Sequence, residues 1–118
     1  MNIDRRFIQE DGIGIFTGNE LIVKGALEGR MGLMTGYPGS PVAEVFDAAE
    51  RVKELLIEKG VLVQIANNEA LGAARLNGAQ MEAIRSVAVM KSVGVHVASD
   101  ALALGNMAGT GEGAAAVV

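Results

Sequence analysis

Three short segments carry the side chains that could do chemistry. They are TGYPGSP (residues 35–41), NNE (residues 67–69) and MKSVG (residues 90–94), and each follows an apolar run. In an open parallel sheet, the loops that follow the strands meet at the carboxyl edge, where ligands bind. We therefore expect a hydroxyl group, a carboxylate and an ammonium group to lie along one edge of the fold.

Each segment also has a purely structural interpretation. Ser40 fits a helix N-cap, with Pro41 at the first helical position. Glu69 fits a first-turn acid that interacts with the helix dipole, an effect worth about 0.3–1 kcal/mol. Lys91 fits a solvated residue at a strand end.

Glu69 opens a segment made almost entirely of Ala, Gly and Leu. A carboxylate is costly to bury without partners, so its place there needs an explanation.

Composition narrows the class of protein. The chain has 118 residues, a formal net charge of −4 and no cysteine. Scattered basic residues argue against a nucleic-acid partner, and the lack of cysteine excludes iron–sulfur clusters and zinc–thiolate sites within this chain. No window reaches the roughly 18 apolar residues of a membrane span, and the polar N-terminus is not a secretory signal. We predict a cytoplasmic protein with no membrane partner.

Two glycine-rich segments do not qualify as nucleotide sites. In DGIGIFTG (residues 11–18) the glycine spacing differs from the dinucleotide fingerprint and no strand precedes it. GTGEG (residues 109–113) lacks the lysine and hydroxyl of a phosphate loop and fits a turn. His96 is the only histidine and has no companion ligand nearby in sequence. We interpret it as a surface or packing residue.

Strand and helix signals alternate along the chain. Residues 1–12 form an N-terminal arm, and residues 13–118 form one domain. Continuous apolar strands between helices predict a doubly wound α/β fold, a parallel sheet with helices on both faces. The predicted elements are a helix begun by the capping box Thr17–Glu20 and ending near Gly29, a strand at MGLMTGYP, one amphipathic helix over 42–56 closed by Gly60, a strand over 61–66, a helix from Glu69 capped by Asn67 or Asn68, a strand over 86–91, a helix over 95–107 and a final apolar run, AAAVV.

The final apolar run predicts a buried strand that stops at the last residue. A buried strand without a following loop or helix suggests a truncated domain, a fragment of a longer chain.

Four segments, in this order, resemble the N-terminal domain of thiamine diphosphate-dependent 2-oxoacid:ferredoxin oxidoreductases, in particular the α subunit of indolepyruvate:ferredoxin oxidoreductase. They are TGNELIVKGALE (residues 17–28), TGYPGSPVAEVFD (residues 35–47), NNEALGAARLNGA (residues 67–79) and VMKSVGVHVASDALALGNMAGTG (residues 89–111). The resemblance implies the thiamine diphosphate-binding fold and, within it, a pyrimidine-type domain.

The resemblance also implies roles for individual residues. Glu69 aligns with a glutamate that hydrogen-bonds N1′ of the cofactor's aminopyrimidine and favours the imino tautomer, which removes the thiazolium C2 proton. Ser40 aligns with a threonine that contacts the substrate carboxylate, and Lys91 with a lysine near the reacting centre. The cofactor-binding positions implied are Tyr37, Pro38, Gly39, Asn68 and Gly94.

The implied function is half of an enzyme that oxidatively decarboxylates an indolepyruvate-like 2-oxoacid, with thiamine diphosphate shared with a diphosphate-binding domain or subunit. The G-D-G…N pattern that holds magnesium and diphosphate is absent from this chain, so we expect magnesium and the iron–sulfur clusters elsewhere in the enzyme, and no metal ligand here. We also expect the isolated chain to be inactive, ferredoxin to be the electron acceptor, and the protein to form a homo-oligomer.

Departures from the family pattern keep a second interpretation open. Val42 and Ala43 stand where relatives have serines, and Ser92 stands where they have histidine. These positions leave the identity of the 2-oxoacid undetermined. The alternative is a non-catalytic α/β binding or scaffold domain that retains the thiamine-type fold. A third interpretation, a nucleotide-dependent dehydrogenase, ranks last because the chain lacks an acceptable phosphate-binding fingerprint.

Overall fold

The computed structural model of the chain describes residues 4–109 and 111–118. Its elements, in chain order, are a 3₁₀ turn Arg5–Phe7, α1 (Gly18–Glu28), β1 (Leu33–Tyr37), α2 (Ala43–Arg51), α3 (Lys53–Glu58), β2 (Leu62–Ile65), α4 (Glu69–Met81), β3 (Ser86–Met90), α5 (Gly94–Ala108) and β4 (Ala115–Val117). None of the helices in the described ranges is long and apolar enough to cross a membrane.

The four strands form one parallel sheet in the order β2-β1-β3-β4, with Gly36 of β1 in register with Ile65 on one side and Val89 on the other. Helices α1, α2 and α3 pack on one face against Met34 and Val89, whereas α4 and α5 pack on the other against Ala88 and Met90. The predicted doubly wound α/β class is therefore confirmed.

Burial differs sharply between the central and the outer strands. All five residues of β3 are buried, as the continuous apolar run SVAVM predicts. In contrast, Leu62 and Ile65 of β2 are 52% and 54% exposed, and all three residues of β4 are exposed. The prediction of a buried strand at AAAVV is therefore wrong. Both β2 and β4 lie at edges of the described sheet, and helices cover mainly its centre.

The segment after β1 does not form the single capped helix that its spacing predicts. Val42 N–H donates to the Gly39 carbonyl at 2.9 Å, which closes a turn around Ser40 and Pro41. Helix α2 therefore starts only at Ala43, with no side-chain cap. The prediction that Ser40 caps this helix and that Pro41 opens it is wrong. The helix is also interrupted at Val52, so that α2 and α3 are separate helices.

The N-terminal arm is tied to the domain by a buried carboxylate. Thr17 and Glu20 form the predicted capping box, and Glu20 is only 5% exposed. Its Oε1 atom accepts from Nη2 of Arg6 at 3.2 Å and from Nη2 of Arg51 at 3.1 Å. Phe7, next to Arg6, is buried in the core. One side chain therefore links the arm, α1 and α2.

Candidate functional site

The start of α4 places Glu69 at the carboxyl edge of the sheet. The Asn68 carboxamide oxygen accepts from the Leu71 N–H at 2.9 Å, so that Asn68 is the N-cap of this helix, one of the two caps predicted. Glu69 is the first helical residue and is half-buried. The cap fixes the backbone from which the Glu69 side chain projects.

Small residues let α4 approach the sheet closely. A Cβ atom placed on Gly72 would lie 2.9 Å from the Cα atom of Gly36 in β1. Gly36 itself has a φ of 131° and lies directly against the backbone of Val89. Ala73 is fully buried beside these contacts. The small-residue helix thus lies almost directly on the backbone of the central strands and carries Glu69 with it.

The Glu69 side chain lies against the first turn of α5. A Cβ atom on Gly94 would be 2.5 Å from Cγ of Glu69 and 2.7 Å from its Oε1 atom. Helix α5 has Val93 at its N-cap, and Val93 makes no side-chain capping bond. The N–H groups of this turn (Gly94, Val95 and His96) donate to the carbonyls of Lys91, Ser92 and Val93, so the carboxylate is favoured there only by the positive end of the helix dipole. The structure therefore brings the predicted residues Glu69 and Gly94 together.

A second contact joins the loops after β1 and β3. A Cβ atom on Gly39 would be 2.8 Å from Cβ of Lys91, so the stem of Lys91 lies over this glycine. Tyr37 ends β1 and is 40% exposed, and Pro38 is exposed next to it. Between β1 and β3 the strand order reverses, and such a switch point is where doubly wound sheets bind ligands.

Ser40 is less well integrated than the other predicted residues. It is exposed, and within residues 4–109 and 111–118 no hydrogen bond joins it to Glu69 or Lys91. Instead, the neighbouring Pro41 carbonyl accepts a hydrogen bond of 3.0 Å from Nδ2 of Asn19. Sequence reasoning missed Asn19. The only signal was its place in the TGNE segment, in the first turn of the helix that Thr17 caps.

The edge is an open surface in this chain. Ser40 and Lys91 are exposed, and Glu69 is half-buried. The described residues contain no group of three or more His, Cys, Asp or Glu side chains that could hold a metal ion. His96 is exposed on α5, which agrees with its interpretation as a surface residue.

The fold and this edge define the class: a doubly wound α/β domain that presents a carboxylate and a lysine at its switch point. No family model matches the chain. Three similar proteins are indolepyruvate oxidoreductase IorA subunits. The one from Pyrococcus abyssi is 33% identical over 104 residues (88% of this chain), that from Pyrococcus horikoshii 35% over 86 residues (73%), and that from Archaeoglobus fulgidus 36% over 86 residues (72%).

The chain belongs to the family of indolepyruvate oxidoreductase IorA subunits, as the resemblance of its four segments indicated. It spans only 13–16% of the length of these three relatives. By their name, the relatives are subunits of an oxidoreductase.

Proposed function

We propose that this chain is the pyrimidine-binding half of a thiamine diphosphate-dependent enzyme that oxidatively decarboxylates an indolepyruvate-like 2-oxoacid and passes the electrons to ferredoxin. The observation that carries the proposal is the position of the Glu69 carboxylate, which lies against Gly94 at the switch point of an IorA-family chain. A carboxylate there is suited to proton transfer because two neighbouring elements hold it in place.

The residues at this edge fit the pyrimidine end of the cofactor. Among the described residues, the Glu69 carboxylate forms no hydrogen bond or ion pair, which leaves both oxygens available. Such a group can pair with a ring nitrogen that carries or shares a proton. When bound, the cofactor would supply the nucleophilic carbon that attacks a 2-oxoacid carbonyl. The positions that would contact it are Tyr37, Pro38, Gly39, Asn68 and Gly94.

Lys91 and Ser40 are the residues for the substrate. The ammonium group of Lys91 follows β3 directly and would attract the carboxylate of a 2-oxoacid or offset negative charge that develops during its reaction. The Ser40 hydroxyl, in the exposed loop after β1, would donate a hydrogen bond to the same carboxylate. Both side chains are exposed, so both are accessible to a substrate.

Several of the site residues at the sheet edge are exposed, which favours a partner that covers them. A diphosphate-binding domain or subunit would close the site and hold magnesium, and iron–sulfur clusters would lie outside this chain. Large apolar side chains exposed on several elements also favour association with that partner and with further copies of the chain, because monomers rarely expose large apolar patches. The most exposed of these side chains are Ile13, Ile15, Ile57, Met81 and Met107. On its own, the chain would be inactive.

The test compares two glutamates at opposite ends of α4, in the complex purified through a tag on this chain. Glu69→Gln keeps the size of the side chain but removes its acid–base function. We expect the exchange of the cofactor's C2 proton and the turnover of 2-oxoacid both to fall by about 10²–10⁴-fold. Glu82→Gln, at the exposed C-cap of the helix, should leave both rates unchanged.

Equal rates for the two variants would refute the proposal. Binding of a partner with no C2-proton exchange in the unmodified complex would favour the alternative, a non-catalytic scaffold domain.

A further inference from the structure

Gly94 is the residue against which the Glu69 carboxylate rests. A Cβ atom at position 94 would lie 2.5 Å from Cγ, 2.7 Å from Oε1 and 2.9 Å from Cδ of Glu69. Non-bonded carbon atoms are at their optimal separation near 3.5–4.0 Å. Any side chain at position 94 is therefore incompatible with the place that the Glu69 carboxylate occupies.

The backbone of Glu69 has no freedom to withdraw from this contact. Asn68 caps α4 immediately before Glu69, and one turn later Gly72 lies on the Cα atom of Gly36. A shift of the whole helix would disturb both contacts. Only the side chain of Glu69 can move, by rotation about its own bonds.

The backbone of Gly94, in turn, does not require glycine. It is not among the residues with positive φ, and it lies in the first turn of α5, where alanine is a better helix former than glycine. The three atoms nearest to a methyl group at position 94 all belong to the flexible side chain of Glu69. An alanine at this position would therefore leave the fold intact and displace the carboxylate.

We propose that Gly94 is a positioning residue for the enzyme reaction: the lack of a side chain at position 94 seats the Glu69 carboxylate where it meets the cofactor. This inference rests on the proposed function and reassigns Gly94, which acts through Glu69 rather than by touching the cofactor alone. The identity of residue 94 thus controls the position of the acid–base group.

The first test is a double-mutant cycle on the free chain, measured by thermal unfolding. The variants are Gly94→Ala, Glu69→Ala and the double variant, and the control is Gly78→Ala, in the middle of α4, where a methyl group would meet nothing within 4 Å. In the E69A background we expect G94A to raise the melting temperature, as G78A does. In the presence of Glu69 this gain should be lost or reversed. An equal effect of G94A in both backgrounds would overturn the proposed contact.

The second test measures exchange of the cofactor's C2 proton in the tagged complex. We expect G94A to lower the exchange rate by about 10–100-fold, since a displacement of about 1 Å can cost 10²-fold, whereas G78A leaves it unchanged. If E69Q lowers the rate and G94A does not, the positioning role is wrong while the proposed function stands. If E69Q itself has no effect, the proposed function fails as well.

Discussion

Gly72 of α4 lies on the Cα atom of Gly36 in β1, and this contact sets how close the helix comes to the sheet. A Cβ atom on Gly72 would be 2.9 Å from that Cα atom, and Gly36 has no room for a side chain either, because Val89 lies on it. The two glycines are 36 positions apart and lie on different elements. Their contact explains why the helix that begins with Glu69 is rich in small residues.

Two glycine-to-alanine changes within α4 should therefore have opposite effects on stability. Gly72→Ala pushes a methyl group against backbone that cannot move aside and should lower the free energy of unfolding by about 1–3 kcal/mol. Gly78→Ala meets open space and should raise it by about 0.4–1 kcal/mol, because alanine reduces the freedom of the unfolded chain. Urea denaturation measures both. A stabilising effect of G72A would show that α4 does not lie on Gly36.

Local signals in the sequence were enough to predict most elements. The capping box at Thr17, the cap at Asn68 and the apolar run of β3 each depend on a few neighbouring residues, and each is confirmed. The exposure of β2 and β4 could not be predicted, because it depends on the order of strands in the sheet. The turn closed by Gly39 and Val42 replaces the expected cap at Ser40, and nothing in the residue types distinguished the two.

The site was predicted only to the level of a shared sheet edge. That level follows from the βα order, which places the segments after β1, β2 and β3 on one side. The contacts of Glu69 with Gly94 and of Lys91 with Gly39 could not be predicted, because a glycine gives no sign of which side chain will fill its space. The link from Arg6 through Glu20 to Arg51 was missed for a similar reason. It joins three segments that only the tertiary fold brings together.

The buried carboxylate of Glu20 should make stability depend on pH. The backbone N–H of Thr17, and then the Arg6 guanidinium, hold the pKa of Glu20 below its ordinary value. A carboxyl group with a lowered pKa in the folded state stabilises the protein above the pKa of the unfolded chain, about 4.3. This stabilisation is lost as the pH falls below that value and through the pKa of the folded state.

Glu20→Gln should therefore lower the free energy of unfolding by about 1–3 kcal/mol near pH 7, since it removes the negative charge that pairs with Arg6 and Arg51 and replaces one acceptor oxygen with an NH₂ donor. The difference from the unmodified chain should shrink between about pH 5 and pH 3. Chemical denaturation at several pH values measures this difference. Glu28→Gln on the same helix removes only a surface pair with Lys24 and should change stability by less than about 0.5 kcal/mol. A difference between E20Q and the unmodified chain that stays constant down to pH 3 would contradict the role of the Glu20 carboxylate.

Asn19 holds the loop that carries Ser40. Its Nδ2 atom donates to the Pro41 carbonyl at 3.0 Å, the one hydrogen bond between α1 and this loop in the described part of the chain. An exposed hydrogen bond contributes about 0.5–1.5 kcal/mol, so Asn19→Ala should leave the fold intact. Asn19→Asp keeps the shape of the side chain but removes the donor, and should behave in the same way.

The measurement is hydrogen–deuterium exchange of the free chain, with Asn106→Ala on the exposed face of α5 as the control. A hydrogen bond of this strength corresponds to about a 2–10-fold change in the population of open loop states. We expect N19A and N19D to speed exchange at the Val42 N–H, which closes the turn onto Gly39, by about this factor, and N106A to have no effect there. In the tagged complex, the same two variants should raise KM for the 2-oxoacid while C2-proton exchange, which depends on Glu69, stays unchanged. If N19D matches the unmodified chain in exchange at Val42, the hydrogen bond to Pro41 does not hold the loop, and Ser40 must owe its position to the turn alone.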